Sequence, residues 1–218
     1  MTDAPLTKEL IFVADPMCSW CWGFAPAMTS IRQSFGDKLN ILLVVGGLRP
    51  GNDKVMDQEA KDYISHHWEE VQKATGQPFD FDFFKRDDFT YDTEPACRAC
   101  VTVRALKTDA VLNYLDLLHR SFYANNQDIT DASVLASLAV SLGVDAAHFT
   151  EVFNSDEARA ATLDDFQVAR NLGVTGFPTV VAVDKALEEG GDNQYAYLNV
   201  GYRPFEVLEP MLEEWLAA

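Results

Sequence analysis

The chain has 218 residues, of which 48% are hydrophobic and 23% are charged, a composition typical of a globular domain. Its 34 acidic residues outnumber its 17 basic residues, so the formal net charge is −17. Because a surface this negative repels nucleic acid and anionic membranes, we expect neither as a partner.

The apolar segments are too short to cross a bilayer as a helix, which takes roughly 20 residues. The N-terminus, residues 1–5, contains no basic region followed by a long apolar core, so it does not resemble a secretory signal. We therefore expect a cytoplasmic protein. Four cysteines in two C-x-x-C pairs are too few for a disulfide scaffold and favour catalysis or metal binding.

The first part of the chain predicts a strand, a helix and a second strand. Residues 10–14 are a short apolar run typical of a buried strand, and residues 18–35 have a helical pattern. Pro26 lies inside this helix and predicts a kink. Residues 41–46 are continuously apolar, which predicts a second strand buried on both faces.

The first C-x-x-C pair, Cys18 and Cys21, lies where this helix begins. The free N–H groups and the positive dipole end of a helix stabilise a thiolate. In such positions a cysteine pKa falls to roughly 3.5–7.5. We predict that Cys18, the more exposed residue, is the nucleophile of thiol–disulfide exchange and that Cys21 is the resolving thiol. The alternative is a pair of buried structural cysteines.

The middle of the chain, residues 53–172, is predicted to be mostly helical. Its clearest helical patterns cover residues 111–122, 134–142 and 155–172. Thr130 is the expected N-cap of the second of these helices, and Gly143 and Gly173 are the expected stops. The aromatic and acidic run at residues 79–84 is expected to form a loop.

The second pair, Cys97 and Cys100, opens another predicted helix, with Pro95 in its first turn. Three interpretations remain open: a redox relay to the first pair, metal ligands, or two small core residues. A zinc site with four cysteines would require both pairs to converge on one ion. Both pairs begin helices, unlike the glycine-rich knuckles of zinc ribbons, so we predict no metal site.

The end of the chain returns to β-structure. Residues 179–183 and 195–201 predict two strands, joined by a polar turn at residues 188–193. A last helix is predicted to start near residues 204–206. It directs four apolar side chains inward, namely Leu208, Leu212, Trp215 and Leu216.

The order of elements predicts an α/β protein with a discontinuous domain. Residues 1–52 and 173–218 supply its β-α-β and β-β-α halves, and residues 53–172 form an all-helical insertion. This order, with C-x-x-C after the first strand, resembles the thioredoxin fold, and the helical insertion resembles the DsbA-like branch of that fold.

Two short motifs carry a closer resemblance. The segment D-P-M-C-S-W-C-W-G at residues 15–23 resembles the FrnE-like subfamily of DsbA-like proteins and the related 2-hydroxychromene-2-carboxylate isomerases. The segment G-V-T-G-F-P-T at residues 173–179 resembles the cis-proline loop of the family, which makes Pro178 the expected cis residue.

This resemblance implies a protein-disulfide oxidoreductase or isomerase that acts on protein or small-molecule thiols and disulfides. It implies that Trp20, Phe177 and Pro178 contact the substrate, with the Phe177 backbone pairing with a substrate strand. Glutathione is the one co-substrate that the resemblance suggests, and no other cofactor is expected.

The chain departs from the DsbA pattern in ways that argue against a strong oxidant. Trp20 occupies the position of the DsbA histidine, and Phe12 that of its buried glutamate. Related C-x-x-C motifs often carry proline at the position where this chain has Ser19.

Two other functions stay open. The first is a glutathione-dependent isomerase or transferase of the kappa and chromene-carboxylate type, in which a serine typically occupies the position of Cys18. The second is a chaperone-like module that binds peptides in a groove near Trp20 and Phe177. The sequence predicts neither the direction of electron flow nor the oligomeric state.

Overall fold

Four strands form one mixed sheet in the part of the chain that the computed structural model describes, residues 8–186 and 192–218. They are β1 (Lys8–Ala14), β2 (Asn40–Val45), β3 (Thr179–Asp184) and β4 (Gln194–Val200). The spatial order is β2-β1-β3-β4, with β1 and β2 parallel and β3 antiparallel to both of its neighbours. The two ends of the chain therefore share one sheet, as the sequence predicted.

Helix α1 (Ser19–Phe35) follows β1, and helix α8 (Phe205–Ala217) follows β4. Between β2 and β3 the chain forms α2 (Gln58–Thr75), α3 (Glu94–Leu106), α4 (Val111–His119), α5 (Ala132–Ser141), α6 (Ala146–Phe153) and α7 (Asp156–Asn171). Within residues 8–186 and 192–218, no helix is long and apolar enough to cross a membrane. The predicted turn at residues 188–193 falls largely outside the described residues, and residues 1–5 lie wholly outside them.

The central strand β1 is buried on both faces. Its residues alternate between the faces, as the pleat of a strand requires. Leu10 and Phe12 belong to the main core, which also contains apolar residues of α1 and α8. Ile11 and Val13 join a smaller cluster on the other face, which includes Ala169 of α7. This burial on both faces explains why residues 10–14 are uniformly apolar.

The prediction that residues 41–46 are buried on both faces is wrong for the first half of β2. Leu42 is 38% exposed and Asn40 is also exposed, whereas Leu43, Val44 and Val45 are buried. The reason is topological: β2 is an edge strand and pairs with β1 alone. Only its C-terminal half is covered, and there the backbone N–H of Val45 donates to the carboxylate of Asp165 at 2.9 Å.

Two other local predictions need correction. The N-cap of α5 is Asp131, not Thr130, because the Asp131 carboxylate accepts from the N–H of Ser133 at 2.6 Å. The hydroxyl of Thr130 instead bonds Asp128. The aromatic run expected to be a loop contains a 3-10 turn, Phe81–Lys85.

That turn forms because its aromatic side chains pack around one buried indole, that of Trp68 on α2. The ring centroid of Trp68 lies 4.8–6.0 Å from those of six others, namely Phe79, Phe81, Phe83, Phe84, Phe122 and Tyr123. Aromatic rings at these separations stabilise one another beyond simple burial. The cluster joins α2 to the π-helical turn that follows α4.

A partly buried ion pair connects the helical segment to the sheet. The guanidinium of Arg104 on α3 makes two bonds of 2.8 Å to Asp165 on α7 and donates to the carbonyl of Leu43 at 2.7 Å. This paired geometry gives Arg–carboxylate contacts their specificity. The core runs continuously from the sheet into the helices, and the domain boundaries at 52/53 and 172/173 stay a prediction.

Candidate active site

Cys18 is the N-cap residue of α1 and sits between β1 and the first helical turn. Its carbonyl accepts from the N–H of Cys21 at 2.9 Å and from that of Trp22 at 3.1 Å. Its thiol lies 3.7 Å from the carbonyl oxygen of Phe177. Cys18 is 6% exposed and Cys21 is 0% exposed, so the predicted order of exposure is observed, but Cys18 is more enclosed than we expected.

A cavity of about 180 Å³ opens beside Cys18. Its walls include the side chains of Trp20 and Tyr63, the aromatic rings of Trp68 and Tyr91, and two basic groups, Arg49 and His67. The guanidinium of Arg49 stacks over the ring of Tyr91, 5.5 Å from its centroid. In a protein with a net charge of −17, the cavity beside Cys18 thus has basic groups in its wall.

The predicted second motif lies directly against the first. The Phe177–Pro178 peptide bond is cis, and the Phe177 ring packs against the end of β2. A side chain at Gly46 would place a Cβ 2.1 Å from that ring, so only glycine permits this approach. Trp20 is partly buried and its ring lies 5.9 Å from that of Tyr202. The fold thus gathers Cys18, Cys21, Trp20, Phe177 and Pro178, although their roles stay predictions.

Cys21 is held in its protonated form. Burial raises the pKa of the Cys21 thiol well above its ordinary value, and its hydrogen bond with Cys18 raises this pKa further. A thiol that is fully protonated at neutral pH is a poor first nucleophile. The arrangement therefore favours initial attack by Cys18 and later attack by Cys21.

Asp15 is a buried carboxylate that our sequence reasoning quoted in a motif but did not assign to the site. Its side chain accepts from the N–H of Met17 at 2.8 Å and from that of Leu48 at 2.6 Å. Its backbone carbonyl accepts from the N–H of Cys18 at 3.1 Å. Burial raises the pKa of Asp15, and these side-chain hydrogen bonds oppose the rise. The signal that could have identified it is an aspartate directly after a buried strand and before the cysteines.

Two buried side chains from the helical segment hold the same turn, and neither was assigned a role from the sequence. The hydroxyl of Tyr91 donates to the carbonyl of Met17 at 2.6 Å. His119 lies 3.2 Å from the carbonyl of Asp15, so its Nε2 must carry the proton and donate. Burial lowers the pKa of His119 to about 4, which keeps the imidazole neutral near pH 7.

The second pair is sealed inside the protein. Cys97 and Cys100 lie in the first two turns of α3 and are 0% and 1% exposed. Burial raises the pKa of both thiols. Both are free, and the Cys97 thiol lies 3.4 Å from the carboxylate of Asp15. Among residues 8–186 and 192–218, no group of three or more possible ligands is placed to hold a metal ion.

Comparisons with known proteins agree with the fold. The family profile described as a DSBA-like thioredoxin domain matches residues 9–206. A crystal structure of a candidate protein disulfide isomerase from Nitrosomonas europaea is 39% identical and has a TM-score of 0.86, covering 97% of this chain and 98% of that one. The cytosolic disulfide reductase DsbM from Pseudomonas aeruginosa is 24% identical with a TM-score of 0.75, covering 96% and 98% of the two chains.

Other relatives have different described roles. A 2-hydroxychromene-2-carboxylate isomerase structure is 16% identical with a TM-score of 0.62, covering 96% of this chain and 94% of that one. The curated ClpXP adapter protein SpxH from Halalkalibacterium halodurans is 25% identical over 95% of this chain and 67% of its own length. These matches confirm a thioredoxin-like DsbA fold whose structural neighbours include disulfide oxidoreductases.

Proposed function

The chain belongs to the DSBA-like thioredoxin domain family, and from this premise we propose that it is a thiol–disulfide oxidoreductase acting through Cys18 and Cys21. Cys18 is the nucleophile and Cys21 is the resolving thiol. The substrates are protein or small-molecule thiols and disulfides. The placement within the FrnE-like subfamily is part of this proposal.

The observation that carries the proposal is the position of Cys18 at the N-cap of α1, in the wall of a cavity. The other three cysteines are at most 1% exposed. The N-terminal end of α1 favours negative charge on a nearby sulfur. Cys18 therefore combines access to the cavity with a position at the N-terminal end of α1.

In the reducing direction, the Cys18 thiolate attacks one sulfur of a substrate disulfide. A Cys18–substrate disulfide forms, the substrate S–S bond breaks, and one substrate thiolate leaves and takes up a proton. The thiol of Cys21 then loses its proton and attacks the Cys18 sulfur. This step forms the Cys18–Cys21 disulfide and releases the second substrate thiolate. Two electrons have moved from the protein to the substrate, and the oxidising direction is the reverse sequence.

Phe177 and Trp20 are proposed substrate contacts. The carbonyl of Phe177 lies 3.7 Å from the Cys18 sulfur, close enough to orient the reacting group. Its backbone can also pair with an extended peptide, so that a substrate cysteine meets Cys18. Trp20 and Tyr63 line the cavity beside Cys18 and supply apolar surface there.

Substitution of the cysteines tests the proposal. Cys18→Ala should abolish reduction of insulin and oxidation of a dithiol peptide, and Cys21→Ala should accumulate mixed disulfides at Cys18. Cys100→Ala, a buried cysteine outside the site, is the matched control and should retain activity. Full activity in Cys18→Ala would disprove the mechanism. The reduction potential gives the direction, since roughly −270 mV indicates a reductant and roughly −120 mV an oxidant.

A second candidate function, a glutathione-dependent isomerase or transferase, is favoured by the guanidinium of Arg49 in the cavity wall. Arg49 could bind a carboxylate of glutathione beside Cys18. A structure of DsbM with GSH is among the neighbours. Glutathione binding and isomerase turnover that persist in Cys21→Ala would favour this function. Arg49→Ala should weaken glutathione binding whichever of the two functions is correct.

The SpxH relatives suggest a third candidate, a module that binds a protein partner without redox chemistry. Leu48 and Tyr63 beside the cavity are exposed apolar residues that could contact such a partner. Partner binding that persists in the Cys18→Ala, Cys21→Ala double variant would support this role. A cytoplasmic location remains part of our proposal, in keeping with the DsbM neighbour described as cytosolic, and cell fractionation tests it.

A further inference from the structure

We propose that Cys97 is a positioning residue whose thiol, by donating to the buried carboxylate of Asp15, holds the turn that carries Cys18. This inference rests on the proposed exchange reaction at Cys18 and Cys21. It gives Cys97, the first cysteine of the second C-x-x-C pair, a function that needs no redox chemistry.

The geometry centres on Asp15, which connects three parts of the structure. One carboxylate oxygen accepts from the N–H of Met17 inside the active-site turn. The other accepts from the N–H of Leu48, after β2, and from the thiol of Cys97 on α3 at 3.4 Å. Its backbone carbonyl accepts from the N–H of Cys18. A displacement of Asp15 would therefore move the N-cap of α1 directly.

A carboxylate in this position requires donors from the protein. Asp15 is completely buried, and a buried carboxylate without hydrogen bonds is strongly destabilised. Cys97 can supply a donor only as a thiol, and burial and the charge of Asp15 both raise its pKa, which keeps the proton on sulfur. Each group thus maintains the other in the state that the contact needs.

The same burial argues against a redox relay through the second pair. Cys97 and Cys100 have no exposed sulfur for a substrate or oxidant to reach, and neither lines the cavity beside Cys18. Their protonated thiols are poor nucleophiles for disulfide exchange and, unlike Cys21, they do not share a helix with Cys18. A hydrogen-bond donor needs neither access nor a thiolate.

Several other titratable groups act on or lie against Asp15 and must be included in any pH measurement. They are Cys21 of α1, Tyr91 before α3, Cys100 of α3, His119 of α4 and Tyr123 of the π-helical turn. Thr93 contributes an uncharged hydrogen bond to the same carboxylate.

Three single variants separate a donor from a relay. Cys97→Ala removes the donor, Cys97→Ser restores a hydrogen-bond donor that cannot form a disulfide, and Cys100→Ala leaves the donor but breaks any disulfide of the pair. The Cys18/Cys21 reduction potential, the exchange rate and the pKa of Asp15 from carboxyl NMR are measured for each full-length variant.

The donor role predicts an upward shift of about one unit in the Asp15 pKa of Cys97→Ala, since a lost hydrogen bond to a charged group is of this size. The Cys18/Cys21 reduction potential and the exchange rate should change together with the pKa of Asp15. In Cys97→Ser, most of the original potential and rate should be recovered. Cys100→Ala should behave like the unsubstituted protein. Equal loss of exchange in all three variants would instead identify a relay and overturn the proposal, as would an unchanged Asp15 pKa in Cys97→Ala.

If Cys97→Ala does not fold, the infrared S–H stretch of the unsubstituted protein tests the hydrogen bond between Cys97 and Asp15 instead. The Cys97 band, assigned by its loss in Cys97→Ser, should lie at the lowered frequency of a hydrogen-bonded thiol. A band at the free-thiol frequency would refute the contact. Because neither this band nor the Asp15 pKa requires turnover, a protein without exchange activity would disprove the proposed function and leave the contact separately testable.

Discussion

The two C-x-x-C pairs of this chain have the same spacing and both lie at the start of a helix, yet their surroundings are opposite. Cys18 precedes the first turn of α1 and lines a cavity, whereas Cys97 lies inside the first turn of α3 and is 0% exposed. Asp15 contacts both, through its backbone carbonyl and its carboxylate respectively. Access and hydrogen bonding, rather than spacing, therefore distinguish the dithiol that we propose to be reactive from the buried one.

Alkylation of the native protein tests most directly whether the two pairs differ in reactivity. Cys18 should react first, and Cys97 and Cys100 far more slowly, because both are buried and burial raises their pKa. Mass spectrometry after a brief treatment with iodoacetamide measures the order. Comparable labelling of Cys97 before unfolding would show that the second pair is accessible.

Removal of the shared carboxylate should destabilise the fold around both pairs. Asp15→Ala leaves the buried N–H of Met17 and the partly buried N–H of Leu48 without their acceptor, at a cost of about 1–3 kcal/mol for a buried donor and less for the other. We expect a loss of at least about 2 kcal/mol in the free energy of unfolding, measured by urea denaturation. Asp87→Ala, at an exposed carboxylate, is the matched control and should change little. Equal effects would show that Asp15 is not a structural acceptor.

The pH dependence of the resolving step sharpens the difference within the first pair. Because burial raises the pKa of Cys21, its thiolate fraction should rise about tenfold per pH unit from about pH 6 to about pH 8. The decay rate of a preformed Cys18 mixed disulfide should rise in proportion, as stopped-flow measurement can determine. A rate independent of pH would mean that Cys21 is already ionised.

The stability of the protein at alkaline pH should report on the second pair. Burial raises the pKa of Cys97 and Cys100 in the folded state, so the folded protein retains protons that the unfolded chain releases. The contribution of these two thiols to the free energy of unfolding is complete below about pH 8.5, the ordinary thiol pKa. It is lost as the pH rises towards the folded-state pKa, by up to about 1.4 kcal/mol per pH unit for each thiol. In Cys100→Ala the free energy of unfolding should decline less steeply with rising pH than in the unsubstituted protein. An identical slope would contradict the raised pKa of Cys100.

Much of the fold was predictable because its signals are local. The apolar run of β1, the helical repeats of α4 and α7 and the stops at Gly143 and Gly173 depend on neighbours in the sequence, and the structure contains them. The N-cap of α5 was wrong by one residue because Asp131 and Thr130 are both good caps and only backbone geometry chooses between them.

The less predictable parts depend on contacts between distant segments. The exposure of Leu42 follows from the edge position of β2, and the turn at Phe81–Lys85 follows from rings that pack on Trp68. His119 and Tyr91 reach the active-site turn from the helical segment, and no spacing in the sequence connects them to it.

The α/β order of elements, the two cysteine motifs and the proline loop could be predicted because each follows from residues close together in the chain. Which dithiol reaches a cavity and which is buried against Asp15 became clear only in the folded protein. Burial and hydrogen bonding set the pKa of a thiol, and both depend on atoms brought together from segments far apart in the chain.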